Sequence, residues 1–180
     1  MPNVHLTLLS PSDHSELLHF EKVNQRWFEA TIPPRDAIFY TNRGAELHIE
    51  ECLELYEKDE MLPMLIKDEK ECIIGRINLH SLCLQSLSAH LGYRIAQSEI
   101  GKGVATKATK ALLTFCQEKY SLSKLIAITA TGNLASQRVL TNNQFSETRT
   151  HKNYTRLNGK LIHCIEYQKL WESGQLRAKR

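Results

Sequence analysis

The 180-residue chain is 42% hydrophobic and 24% charged, a balance that suits one folded domain with a substantial core and excludes a disordered chain. Its formal net charge of +3 comes from scattered Lys and Arg, which leaves no basic stripe for nucleic acid. No apolar run is long enough to span a bilayer and residues 1–9 lack a leader pattern, so a cytoplasmic protein with no membrane partner is expected.

Residues 4–9 alternate as a first strand, and Ser10-Pro11-Ser12-Asp13 caps a helix on which Leu17, Phe20, Val23 and Trp27 recur at helical spacing. Ile32-Pro33-Pro34 ends it. A second helix is expected over 45–58, with Leu47, Cys52, Leu55 and Tyr56 as its apolar side. From 46 to 60 seven carboxylates (Glu46, Glu50, Glu51, Glu54, Glu57, Asp59 and Glu60) stand against Lys58, as a solvated helix face or as attraction for a cationic substrate.

Residues 61–67 and 71–79 flank Asp68-Glu69-Lys70 as a strand hairpin, and 89–96 extend the sheet. From Gly103 the period changes: Val104, Ala105, Ala108, Ala111, Leu112, Phe115 and Cys116 follow i, i+3, i+4 spacing to Tyr120. A strand at 125–129, a short helix at 134–141 and a strand at 145–156 follow. Asn158-Gly159 then supplies a two-residue turn, and 160–170 return as the last strand. No repeat or flexible linker divides the chain, so a single domain over 1–172 with a polar tail at 173–180 is expected. Cys52, Cys72, Cys83, Cys116 and Cys164 are odd in number and form no C-x-x-C pair. Neither disulfides nor a metal is expected of them, and they read as reduced and buried.

The segment Gly101-Lys102-Gly103-Val104-Ala105-Thr106 lies between a predicted strand and the clearest helix. Unpaired N–H groups and a partial positive charge make such a helix start a place for phosphate. The glycines allow close approach of a pyrophosphate, Lys102 adds a charge and Thr106 a hydroxyl. The G-x-x-x-x-G-K-[ST] spacing of nucleoside triphosphatases is absent, and so is the third glycine of the dinucleotide fingerprint.

Taken in order, Leu91-Gly92-Tyr93-Arg94-Ile95, Gly101-Lys102-Gly103-Val104-Ala105-Thr106-Lys107-Ala108, Asn133-Leu134-Ala135-Ser136 and residues 142–145 resemble the GNAT superfamily. The final Tyr154-x-x-Leu157-Asn158-Gly159-Lys160 hairpin is similar to its branch of bacterial ribosomal-protein alanine and serine N-terminal acetyltransferases. The resemblance implies an α+β, three-layer fold whose mixed, mainly antiparallel sheet splays open in the middle, with helices on both faces. It implies acetyl-CoA as co-substrate, with the backbone of Tyr93, Arg94 and Ile95 pairing with the pantetheine amides. The amides of Gly101, Lys102, Gly103, Val104 and Ala105 would hold the pyrophosphate, Asn133 the pantetheine arm, and Ser136 would lie near the sulfur.

Four positions depart from the family pattern. Ser98 stands where Gln or Arg is common, Leu140 replaces a tyrosine acid, Ile126 a glutamate base, and Gln144 a glycine. Ser136 is then the candidate donor to the leaving thiolate, and His80 the candidate weak base, with His90, Glu99, Tyr154 and His163 behind it. Neutralising a lysine amine at pH 7 costs about 4.6 kcal/mol against about 1.1 kcal/mol for an α-amine, so loss of a strong base favours a protein N-terminus as acceptor. The alternatives are a small amine (polyamine, amino acid or antibiotic) and a catalytically silent CoA-binding domain. The exposed C-terminal hairpin could pair with a second copy to form a homodimer.

Overall fold

Alternating and apolar runs build one sheet. In the computed structural model, which describes residues 3–171, its strands are β1 (His5–Leu8), β2 (Leu62–Lys67), β3 (Ile73–Cys83), β4 (Ser88–Ile95), β5 (Lys124–Ala130), β6 (Ser146–Leu157) and β7 (Lys160–Leu170). The spatial order is β1-β2-β3-β4-β5-β7-β6, and the β4–β5 pair alone is parallel. The helices are α1 (His14–Val23), α2 (Gln25–Glu29), α3 (Asn42–Glu57), α4 (Val104–Lys119) and α5 (Leu134–Asn142). The mixed, mainly antiparallel sheet implied by the family resemblance is present. The polar tail expected at 173–180 lies outside the described residues.

Both faces of the sheet are covered over β2, β3 and β4, while β6 is largely exposed. Leu62, Met64 and Ile66 of β2 and Leu91 and Ile95 of β4 pack with Val104, Ala108, Leu112 and Cys116 of α4. On the other face Leu65 and Ile73 meet Leu17 and Phe20 of α1 and Ile49 and Cys52 of α3. Burial on both sides explains why β2 reads as a continuous apolar run where an edge strand would alternate. The Asn158-Gly159 turn has φ of 49° and 77°, the left-handed pair that a tight hairpin needs.

Two expectations about the first helices are corrected. One helix was expected through Trp27, yet the chain breaks at Asn24 between α1 and α2. The Asn24 side chain donates to Phe20 O at 2.9 Å and accepts from Gln97 N at 2.9 Å, so it serves two backbone groups that an unbroken helix would leave apart. Val23 and Leu47 hold apolar places in the pattern but are exposed, because the helices turn only their other residues inward.

The decisive feature is where the sheet stops being continuous. β5 pairs with β4 only at Ser88↔Lys124, Ala89↔Leu125 and His90↔Ile126. Beyond these, β4 follows β3 to Ile95 while β5 follows β7 to Ala130, and the two edges part.

Near the opening, on the α1 and α3 face, lies a buried charge network. Glu21 of α1 is 0% exposed and accepts from Arg76 Nη1 at 2.7 Å and from Arg94 Nη1 at 3.2 Å. Replacing it leaves two guanidinium charges without their shared carboxylate. Glu21→Gln is expected to lower folding stability by about 3–5 kcal/mol, read as a drop in the urea midpoint with an unchanged slope.

Candidate active site

Two cavities meet at the parted strands. The larger, about 590 Å³, lies between the ends of β4 and β5 and is floored by β3 and β4; the smaller, about 410 Å³, runs along the start of α4. Tyr93, Arg94, Asn133 and Ser136 line both.

The smaller cavity contains the glycine loop. Gly101 and Gly103 both have φ of 78°, and a Cβ at either would meet nothing within 4 Å, so backbone conformation and not crowding selects glycine there. Gly103 caps α4 without any side-chain bond to the helix N–H groups, and Lys107 N is the amide that returns to Gly103 O. The amides of Val104, Ala105 and Thr106 therefore open into the cavity as an anion cradle. Lys102, expected to add a charge here, lines neither cavity; its Nζ is bonded to Glu99 at 3.1 Å, which offsets part of its charge.

At the junction two hydroxyls face each other. Tyr93 Oη lies 2.8 Å from Ser136 Oγ, where either hydroxyl can donate, and 3.3 Å from Ser136 O, which can accept its proton instead. Burial pushes the Tyr93 phenol up to about 12, so it remains a proton carrier at neutral pH. The cap of α5 is Asn133, whose Oδ1 accepts from Ser136 N at 3.1 Å. Ser136 Oγ is thereby free of capping duty and turned to Tyr93. Sequence reasoning used Tyr93 only for its backbone; a hydroxyl pair 43 positions apart carries no local signal.

The floor of the larger cavity follows from strand register. Arg76↔Arg94, Asn78↔Gly92 and His80↔His90 are direct neighbours across β3 and β4, and alternation puts all six on one face. The His80 and His90 ring centroids are 5.4 Å apart, and burial together with His90 lowers the His80 pKa, which keeps the imidazole neutral. Of the other base candidates, His90 and Tyr154 line this cavity and Glu99 the smaller one. His163 lines neither; its Nδ1 accepts from Asn153 N at 2.9 Å. No carboxylate lines the larger cavity among the described residues.

Several expectations change here. The backbone edge of Tyr93, Arg94 and Ile95 is not wholly open, since Trp27 Nε1 donates to Ile95 O at 3.3 Å. All seven carboxylates of the 46–60 stretch are exposed, none lines a cavity, and Glu46 is bonded to Arg43 at 3.4 Å, as befits a solvated helix face. Cys52, Cys116 and Cys164 are buried as expected, but Cys72 is exposed ahead of β3 and Cys83 is half-buried where the β3–β4 register shifts. Among the described residues no cluster of three or more His, Cys, Asp or Glu could hold a metal, and no helix is long and apolar enough to cross a membrane.

Residues 3–146 match the family model described as the acetyltransferase (GNAT) domain. The chain belongs to the GNAT acetyltransferase family. It is 25% identical over 177 residues to the probable N-acetyltransferase YjcK of Bacillus subtilis, covering 97% of this chain and 92% of that one. Its fold matches the ribosomal-protein-S5-alanine acetyltransferase of Vibrio fischeri with a TM-score of 0.89 at 20% identity, over 94% of each chain. It also matches RimL, a ribosomal alpha-N-protein acetyltransferase solved with coenzyme A, with a TM-score of 0.86 at 19% identity, over 93% of each chain. This GNAT chain is thus an N-acetyltransferase, an enzyme that moves an acetyl group from acetyl-CoA to an amine.

The GNAT floor rests on a neutral histidine. His48 of α3 lies 2.8 Å from Arg76 Nη2, and burial, then Arg76, Arg35 and Arg94, push it down to about 3. Between the ordinary histidine pKa of about 6.5 and that value the unfolded chain binds a proton that the folded chain refuses, so stability falls as pH falls through this window. Urea midpoints measured from pH 7 to pH 4 should decline steadily, and His48→Gln, which keeps an acceptor but cannot titrate, should flatten part of that decline.

Proposed function

We propose that this enzyme acetylates the α-amine of a protein N-terminus, of the ribosomal-protein type, by direct transfer. A single domain over residues 1–172, acting in the cytoplasm, carries the reaction. The observation that carries the reading is the Tyr93–Ser136 hydroxyl pair, 2.8 Å apart, at the mouth between an anion cradle and a cavity without carboxylates.

In this reading the smaller cavity holds acetyl-CoA, whose thioester supplies the acetyl group. Gly101, Lys102, Gly103, Val104 and Ala105 hold the pyrophosphate with their amides, Thr106 adds its hydroxyl, and Asn133 keeps its Nδ2 for the pantetheine arm. The free edge of β4 at Tyr93 and Arg94 offers backbone groups to the pantetheine amides. Ser136 Oγ gives its proton to the departing sulfur and draws on Tyr93 Oη behind it, while a C–N bond forms and the C–S bond breaks. His80, neutral at pH 7, takes the proton that leaves the amine.

The acceptor class follows from what the larger cavity lacks. With no carboxylate in the lining to strip a lysine amine, the roughly 3.5 kcal/mol advantage of an α-amine decides the choice. The solved relatives RimL and the Vibrio fischeri enzyme, whose names place them on ribosomal proteins, support the same direction.

Peptides with a free N-terminal Ala or Ser should release CoA thiol faster than the same peptides blocked at the α-amine and bearing lysine. Equal rates in the two series would remove the α-amine reading. Ser136→Ala should lower kcat by about 100-fold with acetyl-CoA affinity retained. Gly103→Val should abolish calorimetric binding of acetyl-CoA while the circular dichroism of the fold is kept.

A further inference from the structure

The larger cavity contains more positive charge than the fold requires. Arg35, Arg76 and Arg94 all line it, and the buried Glu21 is the carboxylate bonded to Arg76 and Arg94. Arg76 is fully engaged, with Nη1 on Glu21 and Nη2 on His48 at 2.8 Å. Arg94 spends one nitrogen on Glu21 at 3.2 Å. Arg35 spends none: no ion pair or hydrogen bond reaches it among the described residues, its guanidinium lies 4.1 Å over the Phe39 ring, and its Nε is buried without a partner. Burial and then Arg94 push Arg35 down to about 10, still far enough above neutrality to keep the charge. Of the neighbouring titratable groups Glu21, already bonded to Arg76 and Arg94, offsets it in part from a distance, and the others do not. His48 is neutral, Tyr40 is held protonated by burial and by Glu29, and Glu29 itself accepts from Gln25 and Tyr40.

A guanidinium kept half-buried, charged and without a carboxylate is costly unless something supplies the missing anion. The fork of Arg is shaped for a carboxylate or phosphate. We propose that the acceptor carries an acidic group one or two residues from its reactive amine, received by Arg35 and Arg94 with Arg76 adding its field from behind. This deepens the acetyl-transfer reading above and rests on it. The reach follows from the strands. Arg76 and Arg94 lie at one end of the polar row and His80 and His90 at the other, four strand residues or about 13 Å apart. Gly92 between them carries no side chain, and the nearest atoms to a Cβ there would be those of the His80 ring at 4.0 Å. An extended acceptor with its amine above Gly92 sets an acidic group over Arg94 after about 7 Å, the span of two residues. The same charge repels polyamines from this cavity.

The test uses the full chain loaded with CoA and reads binding by calorimetry. The probes are the acetylated product peptides acetyl-Ala-Asp-Ala-amide and acetyl-Ala-Asn-Ala-amide, with N-acetylalanine as a small carboxylate. The aspartyl peptide should bind about tenfold more tightly than the asparaginyl one, Arg35→Gln should erase that preference, and Arg35→Lys should keep part of it. N-acetylalanine binding as tightly as the aspartyl peptide, with the same loss in Arg35→Gln, would keep the arginine site and assign its anion to a small amino acid. Equal binding of the two peptides to the unaltered enzyme, no binding of either while CoA remains bound, or a preference that survives Arg35→Gln would overturn the proposal. Failure of CoA itself to bind would strike the acetyl-transfer reading instead.

Discussion

Everything at the site depends on β4 and β5 ceasing to pair after His90↔Ile126. A sheet that stays zipped has no room between its strands for a ligand and no backbone edge to offer one. Parting after three paired residues exposes the end of β4 and places the start of α5, with Asn133 and Ser136, across the gap from Tyr93. The anion cradle of α4 opens beside the same gap because the loop that leaves β4 at Ile95 enters α4 at Gly103. Strand end, glycine loop and helix start are consecutive in the chain, so once the sheet opens a diphosphate site and an acyl-transfer site become neighbours without any long-range arrangement.

The opposite side of the site is less local and costs more to build. Two arginines stand directly across from each other at Arg76↔Arg94, a placement that a strand pair tolerates only with a counter-charge. Glu21 reaches both from α1, and Asn24, three residues on, ties the same helix to the loop after β4 through Gln97 N. The helix break at Asn24 and the buried carboxylate at Glu21 therefore act together: one positions the end of α1, the other uses that position to neutralise part of the cavity floor. The remaining positive charge lies on the acceptor's side of the gap.

The legible part of this molecule was the part written in consecutive residues. The spacing of Val104, Ala108, Leu112 and Cys116 announced α4, the two glycines at positive φ marked its approach, and Asn158-Gly159 marked the last turn. Apart from Lys102, the residues expected at the cofactor site line one connected region, since they arrive on adjacent segments. The Tyr93 hydroxyl and the pairing of Glu21 with Arg76 and Arg94 stayed hidden because their partners come from segments 43 to 73 positions away, and Arg35 because it has no bonded partner at all among the described residues. Register was the one signal that could have shown the arginine pair that Glu21 serves. Had β3 and β4 been aligned, the i, i+2, i+4 series Arg76, Asn78, His80 facing Arg94, Gly92, His90 would have stood out as a polar row on a strand pair otherwise buried. Val23 and Leu47 show the reverse error, apolar residues that fit a period and still face water.

β4 also explains how one short strand serves two chemistries. Ala89, Leu91 and Ile95 bury themselves against α4, and Tyr93 in the same series leans on that core and meets Ser136. The alternate series, His90, Gly92 and Arg94, faces the other way and forms the acceptor floor. Because the side-chain period of a strand is two, the core residues that fix the register of β4 also fix which side carries hydroxyls and which carries charge. A slip of one residue would put the arginine on the leaving-group side and the tyrosine over the acceptor, and it would expose three apolar side chains at the same moment. The apolar members of that face thus enforce the division of chemical labour at the site, and Tyr93 alone among them adds a reactive group.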